Sequence, residues 1–408
     1  MRRALVVLAL LAASRAQAQD RGEAHASLRI VGQPAPDAWL LVATPSVTGN
    51  VAATSWLRFD VNWLADVVTG ATPRTYGRPD VVTAATRFSE VRNVIGAGAS
   101  AVAGPVTVGA GYSYGNESDF RSHLLRASVK ADLFQHNTTL SADWGHSWNS
   151  VCDLAQDNVP VLLRQPLDSS RGCFQGTPTL TEESLDTDAL DVALVQTLTP
   201  KLVGALVGTY EHLDGFQSSP YRRVRLLGGE FQAQESHPRL RDRGALTARV
   251  RLAVPPVHAT FGADLRLYRD TWGVQSITGE ATWDQPFLQR VPAWRFRVRA
   301  RGYVQSSANF YKDAGSSDSY ETTGPAGNYF TGDPEMAPLA DLLLGMRATY
   351  TTTAPEGKRF GRMFTDGEWT MFFDYLKEFA LSPTPPVAAR FSSWASALVL
   401  GFSVDGRF

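Results

Sequence analysis

Ser392–Phe408, SSWASALVLGFSVDGRF, keeps a period of two up to its last residue. Counting back from Phe408, Val404, Phe402, Leu400, Leu398 and Trp394 share one face, interrupted by Gly406 and Ser396. The other face carries Arg407, Asp405, Ser403, Gly401 and Ser393, with Val399 and Ala397 as apolar exceptions. Successive strand side chains point to opposite sides, so this strand offers one face to hydrocarbon and the other to water. Its own backbone N–H and C=O groups need a partner on both edges, and in lipid only a closed sheet supplies one. The stretch therefore predicts a barrel whose last strand pairs with its first. Phe402, Val404 and the terminal Phe408 also resemble the signal that Gram-negative assembly machinery reads on outer-membrane barrels.

The other end of the chain agrees with export. Met1-Arg2-Arg3 is a basic start, Ala4 to Ala13 an apolar run too short to span a bilayer, and Ala16-Gln17-Ala18 a small-residue cleavage motif. Residues 1–18 are expected to be a cleaved signal peptide, and 19–408 a single barrel domain. No other apolar run is long enough for a membrane helix. A net charge of -1 excludes the basic surplus that nucleic-acid binding needs. Only five lysines occur, at 130, 201, 312, 358 and 377, so positive charge is almost all Arg, which suits fixed pairing with carboxylates in a confined space. In an exported chain the two cysteines, Cys152 and Cys173, are expected to form a disulfide that closes a surface loop.

Between the ends, short alternating runs are separated by tight turns and long polar segments in alternation. Ser55 to Thr69 is a clear case: Leu57, Phe59, Val61, Trp63, Ala65 and Val67 face one way, Arg58, Asp60, Asn62 and Asp66 the other. Gly104-Pro105, Gln135-His136-Asn137, Thr199-Pro200 and Pro255-Pro256 read as tight turns. Long loops are expected near 149–186, 212–241 and 307–341, on the extracellular side. The pattern gives an all-β, transmembrane antiparallel β-barrel of about sixteen strands, with both termini periplasmic and lipid of the outer membrane around it.

Trp294 to Gln305, WRFRVRARGYVQ, is the richest internal stretch. Arg295, Arg297, Arg299 and Arg301 form a column on one face, which would cost a few kcal/mol per Arg against lipid and so belongs in the lumen. Neighbouring strands add Arg249 and Arg251, Asp264 and Arg266, then Glu280 and Asp284 beside the column. Two readings stay open: a ladder of ion pairs that stiffens the wall, or an electropositive strip that draws anionic solutes through a pore. Catalysis is poorly served, because His146 and Ser147 are consecutive in a strand and point apart. Asp186, Asp188 and Asp191 read as a solvated acidic run rather than a calcium site. No catalytic residue, cofactor or metal is expected.

Gln196–Pro200, Ser219–Arg222, Tyr268–Val274 and Tyr303–Tyr311, with Val67–Ala71 and Tyr329–Pro334, resemble the bacterial domain of unknown function 3570 family. The likeness covers nearly the whole mature chain. It implies an outer-membrane barrel and assigns no catalytic or ligand residues. An acid expected at Thr271 is absent, and the region past Asp341 matches loosely. The functional expectation is porin-like passage of small solutes, anionic ones among them. The alternative is a non-conducting structural or sheath barrel that binds a periplasmic or surface partner.

Overall fold

The computed structural model describes residues 22–35, 38–70, 81–83, 88–169, 172–226, 231–287, 293–311, 328–353, 364, 366–381 and 394–408. The expected signal peptide (1–18), most of the segment after Gly70, residues 312–327 of the third long loop and Ser392–Ser393 lie outside them.

The chain in order forms β1 (Gly22–Ala35), β2 (Ala38–Ala52), β3 (Leu57–Gly70), β4 (Val81–Thr83), β5 (Phe88–Ala103), β6 (Val106–Asn116), β7 (Phe120–Leu133), β8 (Thr138–Leu154), β9 (Leu180–Thr199) and β10 (Leu202–Gly215). It continues with β11 (Arg222–Leu226), β12 (Phe231–Gln234), β13 (Leu240–Val254), β14 (Ala259–Asp270), β15 (Gln275–Pro286), β16 (Ala293–Gln305), β17 (Leu339–Thr353), β18 (Asp366–Ala380) and β19 (Trp394–Arg407). All but β4, β11 and β12 join one closed antiparallel barrel of sixteen strands. Closure is made by β1 against β19, in register from Glu23 with Arg407 to Gly32 with Leu398. Gly22 N donates to Phe408 O at 3.1 Å and Phe408 N donates back at 3.0 Å, so the pairing runs to the final residue.

Hydrophobic alternation gives the wall its two faces. On the outside, Phe59, Leu125, Leu246, Val298, Met346 and Leu400 are all exposed, Val298 by 51% and Met346 by 60%, as an apolar belt around a sheet must be. A closed sixteen-strand ring with such a belt is an outer-membrane barrel. The two apolar exceptions of the last strand have a local reason. Val399 and Ala397 are buried on the inner face, where their register partners on β18 are Asp374 and Leu376.

The longest connections gather on one rim. At the rim that holds the chain ends, Gly104 takes a φ of 60° in its turn and Pro255–Val257 form one 3-10 turn. The opposite rim carries connections 155–179, 216–239 and 306–338, each shorter than the loop expected there. The reason is that β8 runs to Leu154 and β9 begins at Leu180, so paired polar sheet extends past the apolar belt where a loop was expected. The small sheet β12-β11-β4, built from the 216–239 connection and the β3–β5 connection, has no counterpart in the alternation pattern.

Candidate functional site

The arginine column of β16 shares the inner face with carboxylates from both sides. In register, Arg301 stands opposite Glu280 and Arg297 opposite Asp284 on β15. Arg297 Nε donates to Asp284 Oδ1 at 2.8 Å. Arg299 takes a different partner, donating from Nε and Nη2 to Asp374 at 3.1 and 2.5 Å, and lies 3.7 Å from Glu280. Asp374 sits two strands away on β18, and the reach is open because the residue between them in register is Gly345. A Cβ there would collide with both Asp374 and the Arg299 side chain. Arg301 donates to Asp341 at 3.2 Å, and Arg295 lies 3.7 Å from Glu368. On β13 and β14, Arg251 is bidentate on Asp264, with Arg249 3.9 Å from the same carboxylate. Arg266 stands between Thr247 and Thr278, with no carboxylate in ion-pair reach among the described residues.

Sequence reasoning brought the column beside Glu280 and Asp284 but missed Asp341, Glu368 and Asp374. It counted four arginines against two acids, whereas β17 and β18 supply three more carboxylates. Their inward parity is legible in β18, but which β18 residue meets Arg299 depends on a register that sequence does not print.

The wall six strands round the ring, at β8, is built differently. Gly98, Gly109, Gly111, Ser128 and Gly145 leave a cavity of about 360 Å³ beside Asp60, Asp143 and Asp191. A larger recess of about 500 Å³ lies at the terminal rim beside His25, Asp405 and Arg407. Asp191 accepts from Thr209 at 2.6 Å on the inner face, while Asp188 pairs with His146 at 3.0 Å on the outer one. Asp186, Asp188 and Asp191 thus do not converge. Ser147, on the face opposite His146, accepts from Asn149 at 3.1 Å. No group of three His, Cys, Asp or Glu able to hold a metal occurs among the described residues.

Over the long-connection rim the loops fold into a cap. β11 pairs with β12 in the 216–239 connection and with β4 from the β3–β5 connection. The nearest roots of these segments, β5 and β10, stand five strands apart on the ring, and the direct path between them crosses the mouth. Val224, Ala233 and Phe330 are fully buried together, with Val161 against them, so three connections contribute to one core. Beneath it Arg222 Nη1 donates to both oxygens of Glu235 at 3.1 Å and also contacts Asp333. Glu235 further accepts from Ser219 N at 2.8 Å and Thr331 Oγ1 at 2.9 Å, with His237 3.6 Å away. Burial alone would raise the Glu235 carboxyl, but Arg222 and His237 outweigh it and hold it well below the usual range. At Glu335 the balance is reversed: burial, with Asp333 and Glu235 nearby, outweighs Arg222 and pushes its carboxyl up.

A second core joins Trp272, Ala308, Phe310 and Tyr311. Arg241 lies 4.0 Å over the Trp272 ring and is bonded to buried Asp270. Cys152 and Cys173 are disulfide-bonded with Cα atoms 5.9 Å apart, packed with Leu167. Gln234 Nε2 donates to Asp153 of β8 at 3.0 Å, tying the cap to the wall. Stretches 219–222, 268–274, 303–311 and 329–334, separate in sequence, all contribute to this cap and its base.

The family described as "Protein of unknown function (DUF3570)" matches residues 37–353. The chain belongs to the DUF3570 family. Its match covers the strands that carry the arginine column and every described part of the cap. No curated protein matches the chain in sequence. Among solved structures it is similar to a bacterial polysaccharide outer membrane secretin, at 10% identity and a TM-score of 0.48, covering 96% of this chain and 100% of that one. It is also similar to Pseudomonas aeruginosa OccD3 (OpdP), at 10% identity and a TM-score of 0.43, covering 95% and 91%. Pseudomonas aeruginosa OccK2 (OpdF) follows at 10% identity and a TM-score of 0.40, covering 95% and 98%.

Proposed function

We propose that this DUF3570 barrel gives porin-like passage to small solutes, anionic ones preferentially, with its termini in the periplasm and its loop cap outside the cell. The observation that carries the reading is the guanidinium-rich inner face of β16 and β17, where the paired column is joined by Arg347, which no carboxylate among the described residues reaches. It is set across the ring from a wall whose glycines leave open volume beside Asp60, Asp143 and Asp191. Charge fixed in a confined aqueous path selects by sign. The role is non-catalytic, and insertion is guided by Phe402, Val404 and Phe408 through the barrel-assembly machinery.

The cap supports a second reading. Three connections that share a buried core form a stable face, which suits a non-conducting barrel that docks a partner. Planar-bilayer conductance of the refolded protein in a salt gradient separates the two. Stepwise openings with anion preference are expected for the channel. A folded but silent barrel overturns it, and cross-linking through the connection 155–179 would then capture the partner.

A further inference from the structure

Arg347, like Arg266, is an inner-face arginine that the ion-pair ladder does not absorb among the described residues. It stands on β17 directly opposite Arg297 of β16, while its neighbour on β18 is Phe372. Like charges directly opposite across a strand pair are destabilising. Arg297 is compensated by Asp284 and Arg299 by Asp374. Arg347 has no carboxylate within ion-pair distance among the described residues, and its guanidinium lies 5.7 Å from the Phe372 ring centre. The three arginines and Phe372 line one small recess of about 50 Å³, together with Glu280, Asp374 and the bare backbone of Gly345. That space suits one small anionic group and no more. Glu280 and Asp374 also line it, and Asp374 is engaged by Arg299 from the side.

We infer that Arg347, with Arg297 beside it, forms a binding subsite for the carboxylate of a small monocarboxylate solute. This deepens the anion-selective reading and rests on it for its physiological use. A planar carboxylate accepts two parallel bonds from a guanidinium, which Arg347 has free to give, and it relieves the repulsion from Arg297. The Phe372 ring on the β18 side offers an apolar surface at the edge of the recess to the rest of such a solute.

The test uses the folded barrel in detergent with trifluoroacetate as probe, read by fluorine NMR line broadening, beside bilayer measurements on the same preparations. Wild type is expected to broaden the line, Arg347→Gln to abolish the effect, and Arg347→Lys to keep part of it. Lys201→Gln, which removes one charge at a remote turn, should broaden like wild type. In a potassium chloride gradient Arg347→Gln should lower the anion-to-cation permeability ratio about threefold. A wild type that leaves the line sharp overturns the subsite, as does an Arg347→Gln variant that broadens it fully, even where the channel conducts. A barrel silent in bilayers whose broadening still depends on Arg347 keeps the subsite and removes the channel. Heat-modifiable migration on electrophoresis verifies that each variant is folded.

Discussion

Asp374 shows how one side chain can set the chemistry of a wall. It is 4% exposed and holds Arg299 through two donors across a glycine. Removing one partner of a buried pair leaves the other charge unpaired, which costs more than the pair ever contributed. Asp374→Ala is expected to lower stability by about 3 kcal/mol, read as a shift of the denaturant midpoint in lipid vesicles. An unchanged midpoint would mean that Glu280, 3.7 Å from Arg299, takes over the role. The contrast with Arg347 is chemical rather than positional: both face the lumen, but one guanidinium is committed and the other is not.

At the scale of elements, barrel strands and cap segments obey different rules. Each barrel strand is fixed by its alternation and by neighbours on both sides, whereas β4, β11 and β12 are short and depend on being brought together by their connections. The Cys152–Cys173 disulfide closes a segment with a sequence separation of 21, which stabilises it by about 3 kcal/mol through the entropy of the open chain. Cys173→Ser should therefore leave the barrel folded while trypsin cuts at Arg164 faster than in the oxidised protein. Equal cutting rates would show that packing around Leu167 holds the segment without the bond. The same division explains what sequence could reveal. The strands of the ring were legible because a period of two over ten residues survives any loop. Tyr268–Val274 and Tyr303–Tyr311 carried the family likeness, yet that they pack Trp272 on Phe310 was not, because loop contacts follow no period. Arg347 was not legible for a related reason: between Met346 and Ala348 nothing in its own strand marks it, and only register sets it against Arg297.

For the whole molecule, cap and ring should come apart under different conditions. Glu235 is held below its ordinary value, so its contribution is present above that value and is lost as pH falls toward the depressed one. Glu335, held above its ordinary value, works the other way, favouring the cap at low pH and losing that as pH rises. The fully buried Glu235, bonded to Arg222, Ser219 and Thr331, is the stronger of the two, so acidification below about pH 4 should open the cap. Hydrogen exchange is expected to rise in 222–226, 231–235 and 329–333 while the ring amides stay protected. Protection that is uniform down to that pH would mean that the apolar core of Val224, Ala233 and Phe330 holds the cap by itself.

The mutual bonds of Gly22 and Phe408 also make the start of β1 and the last residue a clasp. An even ring of antiparallel strands returns its end to the rim where it began, and here the return is within hydrogen-bond distance. Contacts such as His25 with Asp405, 380 residues apart, are thus the last to be reached by local folding and the first to report any parting of the seam. A pair of spectroscopic labels at Glu23 and Arg407 would act as a zipper gauge, reading whether the ring is open or shut without reference to what passes through it.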